Sequence, residues 1–171
     1  LNLTEADYFK VIEMKTGALF EAATRLAGYI SGATEAQQQA LADFGMKLGT
    51  AYQIYDDCLD LVGTEDQFGK TLRTDLEKGK LTLPMLFLLS NASPSKREKL
   101  HKRIIQQEAL DLTVLVGIAD YEGAIEEALH CAGLLLAEGE DGLACLPENR
   151  FREALHDIAD FLRELIGKLT A

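Results

Sequence analysis

The residues with the clearest capacity for chemistry lie in one short segment, Gln53 to Asp60. Asp56, Asp57 and Asp60 place three carboxylates within five residues. If the segment is helical, Asp56 and Asp60 share one face and Gln53 lies a turn earlier on the same side. Hard oxygen ligands that leave coordination positions for water and phosphate suit Mg²⁺. The spacing therefore predicts a magnesium site on this helix.

The surroundings of the three aspartates bear on whether they form a site or a solvated patch. Like charges one turn apart weaken a helix by about 0.2–0.5 kcal/mol per pair. Carboxylates near a helix C-terminus also face the negative end of the helix dipole. An acidic patch in water is the alternative interpretation. The apolar neighbours of the aspartates indicate a partly dry environment instead. These neighbours are Tyr52, Ile54, Tyr55, Leu59 and Leu61.

Three lysines complement the aspartates. Lys15 is followed by Thr16 in an otherwise apolar stretch, while Lys70 and Lys80 each follow a glycine. A charge in an apolar stretch favours an anionic partner, although Lys15 could instead extend its ammonium group to the surface. Glycine allows close backbone approach, and lysine offers a point charge to phosphate oxygens. Together these residues predict a site in which a metal ion bridges a diphosphate to the protein.

Helical periodicity predicts the elements that position these side chains. One helix is predicted from Thr4 to Ser31, with Gly32 as its stop signal, and a second from Glu35 to Leu61 after a capping box of Thr34 and Gln37. No strand alternation is sustained, so we predict an all-α fold in a single domain over residues 1–171. The other predicted elements are a long loop at 64–82, helices at Leu83–Leu89, Ser93–Arg103, Asp111–Gly117, Tyr121–Ala137 and Pro147–Leu169, and turns at Gly139–Pro147.

Composition excludes several classes of protein. The 171 residues are 47% hydrophobic, too apolar for a disordered chain. A net charge of -11 argues against a nucleic-acid coat, which needs clustered Lys and Arg. The longest apolar stretch, Leu81 to Leu89, contains Pro84 and is too short to span a bilayer. Cys58, Cys131 and Cys145 form no C-x-x-C pair, which favours free thiols in a reducing compartment.

The chain resembles the trans-isoprenyl diphosphate synthases, or polyprenyl synthetases, from about Tyr8 to Pro84. The segment Asp56 to Asp60 is similar to the family's second Asp-rich motif, D-D-x-x-D, and the order and spacing of the motifs are highly specific. After Pro84 the predicted helices fit the family's C-terminal region without a motif of their own. The shared motifs are Lys15-Thr16, Gly49 to Asp60, Gly69-Lys70, Asp75-Leu76 and Gly79 to Pro84.

This resemblance implies an isoprenoid-synthase helical bundle and a Mg²⁺-dependent prenyltransferase that extends an allylic diphosphate with isopentenyl diphosphate. It implies Asp56 as the direct metal ligand, with Asp57 and Asp60 acting through waters. A homodimer in the cytoplasm is implied as well. Catalytic roles are implied for Lys15, Asp56 and Lys70, and substrate binding for Lys15, Thr16, Gln53, Lys70 and Lys80.

The chain departs from the family pattern in two places. Arg73 occupies a position that is usually glycine in the motif after Lys70. The family's first Asp-rich motif and its basic residues for isopentenyl diphosphate have no counterpart upstream of Lys15, and the first residue is Leu1. We therefore expect the C-terminal half of a synthase, and we expect these 171 residues alone to be inactive.

Two other functions stay open from the sequence. A short homologue could serve as a non-catalytic subunit that binds diphosphate. A class I terpene cyclase shares metal-triggered ionisation, but it is not expected to carry the Lys15-Thr16 and Gly79-Lys80 pairs.

Gly45 and Gly49 each lower helix stability by about 1 kcal/mol relative to alanine. Either close helix contact or a cavity for a prenyl chain would explain them.

Overall fold

Most of the residues that the computed structural model describes, which are 3–62, 80–105 and 121–169, are helical. No strand occurs within these ranges, so the all-α prediction is confirmed. No helix in the same ranges has the length and hydrophobicity that a membrane crossing requires. The helices are α1 (Glu5–Ile12), a π-helical turn (Glu13–Gly17), α2 (Ala18–Ile30), α3 (Glu35–Val62), α4 (Leu83–Asn91), α5 (Pro94–Ile105), α6 (Tyr121–Gly142), a 3₁₀ turn (Leu143–Cys145) and α7 (Arg150–Leu169).

The chain divides into two compact units. The first unit comprises Leu1–Tyr8 and Ile54–His130, and the second comprises Phe9–Gln53 and Cys131–Ala171. Helices α1, α3 and α6 each contribute residues to both units. The single-domain organisation inferred from the sequence stays a prediction.

Side-chain caps define where the first helices begin. The hydroxyl of Thr4 accepts the backbone N–H of Asp7 at 3.2 Å, and the Asp7 carboxylate accepts the backbone N–H of Thr4 at 3.0 Å. The predicted capping box at Thr34 and Gln37 is confirmed by the same reciprocal pair of bonds, at 3.3 and 3.0 Å. Gly32 adopts φ 73° directly after α2, a conformation that glycine allows without strain. These local signals set the end of α2 and the start of α3 as predicted, whereas the single helix predicted from Thr4 to Ser31 is interrupted by the π-helical turn at Glu13–Gly17.

Close contact between α2 and α3 in the second unit explains the glycines of α3. A Cβ atom at Gly45 would lie 2.6 Å from the carbonyl oxygen of Phe20. A Cβ atom at Gly49 would lie 3.0 Å from the Cα atom of Gly17. The first distance is shorter than real Cβ contacts and the second is tighter than most of them, so the close approach of the two helices depends on the absence of side chains at these positions. Of the two explanations considered above, close packing is the one these distances support.

Helix α4 forms an apolar element of the first unit. Pro84 lies in its first turn, where a missing N–H does no harm. Leu83 and Leu88 are almost completely buried. The helix ends at Asn91, two residues beyond the predicted Leu89. Arg97 of α5 donates hydrogen bonds to carbonyl oxygens in the last turn of α4, so it stabilises the end of that helix.

The prediction of turns from Gly139 to Pro147 is wrong for its first part, because α6 continues to Gly142. Gly139 is buried, and a Cβ atom there would meet Phe44 at an ordinary contact distance of 3.5 Å. Packing within the second unit therefore outweighs the low helix propensity of glycine. The predicted helix at Asp111–Gly117 and most of the predicted loop, residues 64–79, lie outside the described residues.

A charged cluster joins α6 to α7 in the second unit. The Glu140 carboxylate binds His156 at 2.8 Å and forms an ion pair with Arg163, whose other terminal nitrogen lies 2.7 Å from Asp160. The Glu140 side chain is only 14% exposed. Burial raises the pKa of Glu140, but the hydrogen bonds from Arg163 and His156 outweigh it and lower the pKa below 4.5. The cluster therefore stabilises the unit when Glu140 is ionised.

Replacing Glu140 by glutamine is expected to lower the free energy of unfolding by about 1–2 kcal/mol at pH 7, because charge-assisted hydrogen bonds are lost at a partly exposed site. A carboxyl with a lowered pKa stabilises the fold above its unfolded value of 4.5, and this stabilisation disappears as the pH falls through its folded value. Urea unfolding at pH 7 and at acid pH measures the difference between the two proteins.

The matched control is Glu138→Gln, because the Glu138 side chain is 64% exposed and pairs with Lys47 at 3.4 Å. This substitution is expected to change stability by less than about 0.5 kcal/mol at either pH. A loss at Glu140→Gln that stays the same size at acid pH would show that packing, rather than ionisation, sets the contribution of Glu140.

Candidate diphosphate and metal site

The Asp-rich segment lies near the end of α3, in the first unit. Ile54, Tyr55 and Cys58 are at most 5% exposed, so this part of the helix is buried around much of its circumference. Asp57 is 5% exposed and Asp60 is 7% exposed. Asp56 is half-buried and is the most accessible of the three aspartates. The partly dry environment predicted from the apolar neighbours is confirmed.

Tyr8 of α1 holds Asp57. Its hydroxyl donates a hydrogen bond of 2.8 Å to Oδ2 of Asp57. Burial first, and then the negative charge of Asp57, raise the pKa of Tyr8 far above its usual value of 10. Tyr8 therefore stays protonated and remains a donor at any physiological pH.

The three aspartates differ in what they can offer a metal ion. Oδ2 of Asp57 is engaged by Tyr8, whereas Asp56 is partly open to solvent. Among the described residues, no three His, Cys, Asp or Glu side chains converge as a metal-binding group. Mg²⁺ keeps several waters and is commonly held by one or two carboxylates together with substrate phosphates. The donor set therefore fits a metal ion that is shared with a diphosphate, and it does not form a closed protein cage.

Lys15 and Thr16 lie in the π-helical turn between α1 and α2, in the second unit. The Thr16 hydroxyl donates a hydrogen bond of 2.7 Å to Oε1 of Gln53, which is 6% exposed. Because the amide oxygen of Gln53 accepts this bond, its NH₂ group is the donating end of the side chain. Lys15 is exposed. Turns of this kind are frequent at functional sites, and nothing in the sequence pattern predicted one here.

The residues after the Asp-rich helix are only partly described. Lys80 is exposed just before α4, whereas Lys70 and Arg73 lie outside the described residues. Thr82 is the N-cap residue of α4, but its hydroxyl makes no capping bond. Within the described part of the chain, this buried hydroxyl has no hydrogen-bond partner. A buried orphan hydroxyl costs about 1–3 kcal/mol, so its retention beside the Gly-Lys motif is consistent with a polar ligand.

Sequence reasoning assigned no role to Tyr8 or to Thr82. A buried tyrosine usually finds a partner for its hydroxyl, so the placement of Tyr8 on the apolar face of a predicted helix was the available signal. The sequence alone could not identify Asp57 as that partner, because Tyr8 and Asp57 are 49 residues apart. The roles of Lys15, Thr16, Gln53, Asp56 and the other site residues stay predictions.

Comparison with known proteins gives the same family. The family model for polyprenyl synthetases matches residues 1–116. The octaprenyl diphosphate synthase of Haemophilus influenzae is 35% identical over 159 residues, which cover 91% of this chain and 48% of that protein. A short chain isoprenyl diphosphate synthase of Methanothermobacter thermautotrophicus is 35% identical over 164 residues, covering 96% and 50%.

Solved structures agree with these relatives. A decaprenyl diphosphate synthase of Rhodobacter capsulatus superposes with a TM-score of 0.84 at 34% identity, covering 96% of this chain and 51% of that one. A polyprenyl synthase of Caulobacter crescentus, solved with calcium and isoprenyl diphosphate, gives a TM-score of 0.84 at 31% identity, covering 99% and 51%. The chain thus spans about half the length of the relatives it matches. By sequence and by fold, it belongs to the polyprenyl synthetase family.

Proposed function

We propose that this chain forms part of a prenyltransferase that extends an allylic diphosphate with isopentenyl diphosphate. The observation that carries the proposal is the buried Asp-rich segment of α3, in which Asp57 is fixed by Tyr8 while Asp56 stays accessible. Membership of the polyprenyl synthetase family supports the same reaction. The named relatives are synthases of several different prenyl diphosphates.

Mg²⁺ is the metal we propose for this site. Asp56 would bind it directly, and Asp57 and Asp60 would act through metal-bound waters. The Caulobacter crescentus relative was solved with calcium and isoprenyl diphosphate, which supports a divalent ion with oxygen ligands at such a site. When bound, the metal ion neutralises negative charge on the departing diphosphate. Oxygen donors on α3 favour Mg²⁺ over softer metals.

The proposed diphosphate contacts come from the lysines and from two neutral side chains. Lys15, Lys70 and Lys80 would neutralise phosphate oxygens, because lysine is a compact and mobile point charge. Gln53 would donate a hydrogen bond through its NH₂ group, which the 2.7 Å bond from the Thr16 hydroxyl to Oε1 of Gln53 orients. Thr16, whose single O–H is used in that bond, would donate to the diphosphate by exchanging it. Pre-organised donors stabilise developing charge without reorganising during the reaction.

The proposed reaction proceeds by ionisation followed by attack. The allylic C–O bond breaks, and its electron pair leaves with the diphosphate oxygen. The π electrons of isopentenyl diphosphate then form a new C–C bond to the allylic cation, and loss of a proton restores a double bond. Apolar surroundings such as Ile54 and Leu59 favour this course, because water would capture the cation.

A homodimer and a cytoplasmic location complete the proposal. Several large apolar side chains of the second unit are more than half exposed. Exposed apolar surface of this kind supports contact with another protein surface, such as a second copy of the chain. These side chains are Met14, Leu19, Leu26 and Ile30.

The proposal is tested by incubating the protein that carries this sequence with radiolabelled isopentenyl diphosphate, an allylic diphosphate and Mg²⁺. The expected result is an allylic product longer by one or more C5 units, formed only when both substrates and the metal are present. A hydrocarbon formed without isopentenyl diphosphate would indicate a cyclase. Diphosphate binding without any product would indicate a non-catalytic subunit. The same assay on the isolated 171 residues tests the prediction that they are inactive alone.

A further inference from the structure

We infer that Tyr8 is a positioning residue that fixes the Asp-rich segment for metal binding, an inference that rests on the proposed function. Tyr8 itself touches neither the metal nor the diphosphate in this proposal. It acts through Asp57, whose carboxylate it holds at 2.8 Å. All the contacts that carry the argument lie within the first unit.

Burial makes this single bond effective. Tyr8 is 4% exposed and Asp57 is 5% exposed, so water competes little with the bond between them. A buried carboxylate needs donors to offset its desolvation, and the protonated tyrosine hydroxyl is one of them. With Oδ2 fixed, rotation of the Asp57 side chain is restricted. Its second oxygen is thereby held in one direction relative to Asp56, the adjacent residue of α3.

The same hydroxyl also reaches the beginning of α4. The backbone of Leu83 acts on the Tyr8 hydroxyl and lowers its pKa, by less than burial and Asp57 raise it, so the phenol lies beside both the Asp-rich part of α3 and the first turn of α4. Leu83 directly follows Thr82 and lies three residues after Lys80. Tyr8 therefore holds the Asp57 carboxylate next to the beginning of α4, three residues after Lys80, a proposed phosphate-binding residue.

A hydroxyl that merely filled the core would contribute to stability alone. A positioning hydroxyl would in addition set the affinity for the metal, since groups that orient metal ligands typically change metal affinity by about 10- to 100-fold. Metal affinity in a folded variant therefore separates the two roles. The matched control is Tyr29→Phe, which removes the same hydroxyl group from a tyrosine that is 69% exposed.

The experiment measures Mn²⁺ binding by electron paramagnetic resonance in the presence of inorganic pyrophosphate, using the purified protein that carries this sequence. Wild type, Tyr8→Phe and Tyr29→Phe are compared, and urea unfolding confirms that each is folded. We expect the Mn²⁺ dissociation constant of Tyr8→Phe to rise about tenfold and that of Tyr29→Phe to stay within twofold. In steady-state assays, the Mg²⁺ concentration for half-maximal rate should rise in parallel.

A second variant keeps the test decisive if Tyr8→Phe does not fold. Incorporating p-aminophenylalanine at position 8 retains a donor to Asp57, and its Mn²⁺ affinity should stay within about threefold of wild type if the donor is what positions the carboxylate. A folded Tyr8→Phe with unchanged affinity, or a folded amino variant that binds tenfold more weakly, would overturn the role of Tyr8. If wild type itself binds no Mn²⁺ with pyrophosphate, the proposed function fails together with this inference.

Discussion

Replacing Asp56 by asparagine is expected to lower kcat/KM for prenyl transfer by on the order of 10²- to 10³-fold, because the most accessible carboxylate of the Asp-rich segment is lost. Asparagine preserves the size of the side chain and one oxygen, so the fold of α3 should not change. The missing element is the negative charge that draws the metal ion to the protein. Steady-state kinetics over a range of Mg²⁺ concentrations measures the loss, which higher Mg²⁺ should only partly restore.

Asp43→Asn is the matched control for this substitution. Asp43 lies on the same helix, is exposed, and accepts a hydrogen bond of 2.9 Å from Gln39 one turn earlier. Its replacement removes one negative charge from the same element without touching the Asp-rich segment. Activity should therefore stay within about twofold of wild type. Equal losses at positions 43 and 56 would indicate a general charge effect rather than a metal site.

Replacing Gly45 by alanine is expected to reduce the free energy of unfolding by about 2–3 kcal/mol, because the added methyl group overpacks the contact between α2 and α3. The new Cβ atom would lie 2.6 Å from the carbonyl oxygen and 2.8 Å from the carbonyl carbon of Phe20. These are backbone atoms within α2, so relief requires the whole helix to shift. Alanine's higher helix propensity recovers only about 1 kcal/mol of the loss.

Gly133→Ala gives the opposite expectation for the same chemical change. Gly133 lies within α6 of the second unit, and no atom of the described residues, apart from the adjacent helix backbone, lies within 4 Å of a Cβ placed there. The substitution should therefore raise stability by up to about 1 kcal/mol through helix propensity alone. Equilibrium unfolding in urea, followed by circular dichroism, compares the two variants with wild type. Similar stability changes in both would contradict the close contact at Gly45.

Local sequence signals predicted the helices well where the cause of the boundary is itself local. The capping box at Thr34 and Gln37 is one such case, because both partners lie within one helical turn. Gly32 is another, since its positive φ ends α2. The end of α6 was predicted at Ala137, whereas the helix continues to Gly142 through Gly139, which packs close to Phe44. Such a contact joins residues that are far apart in sequence, and no window of periodicity contains it.

The candidate site shows the same division between local and distant information. Residue type and spacing indicated Asp56, Asp57 and Asp60 because they are concentrated in one helical turn and a half. The bond between Thr16 and Gln53 joins two residues that had been assigned to the site separately. The donor from Tyr8 could not be inferred, because only the fold brings it to Asp57. Metal-binding motifs are thus easier to predict than the residues that orient them.

Asp56 is the residue proposed to bind diphosphate through a divalent ion. Calorimetric titration of a non-reactive allylic thiodiphosphate into the protein, with and without Mg²⁺, tests this role most directly. The proposed site predicts binding only with Mg²⁺, a loss of that binding in Asp56→Asn and its retention in Asp43→Asn. Binding that is equally tight without metal, or that is unchanged in Asp56→Asn, would contradict it.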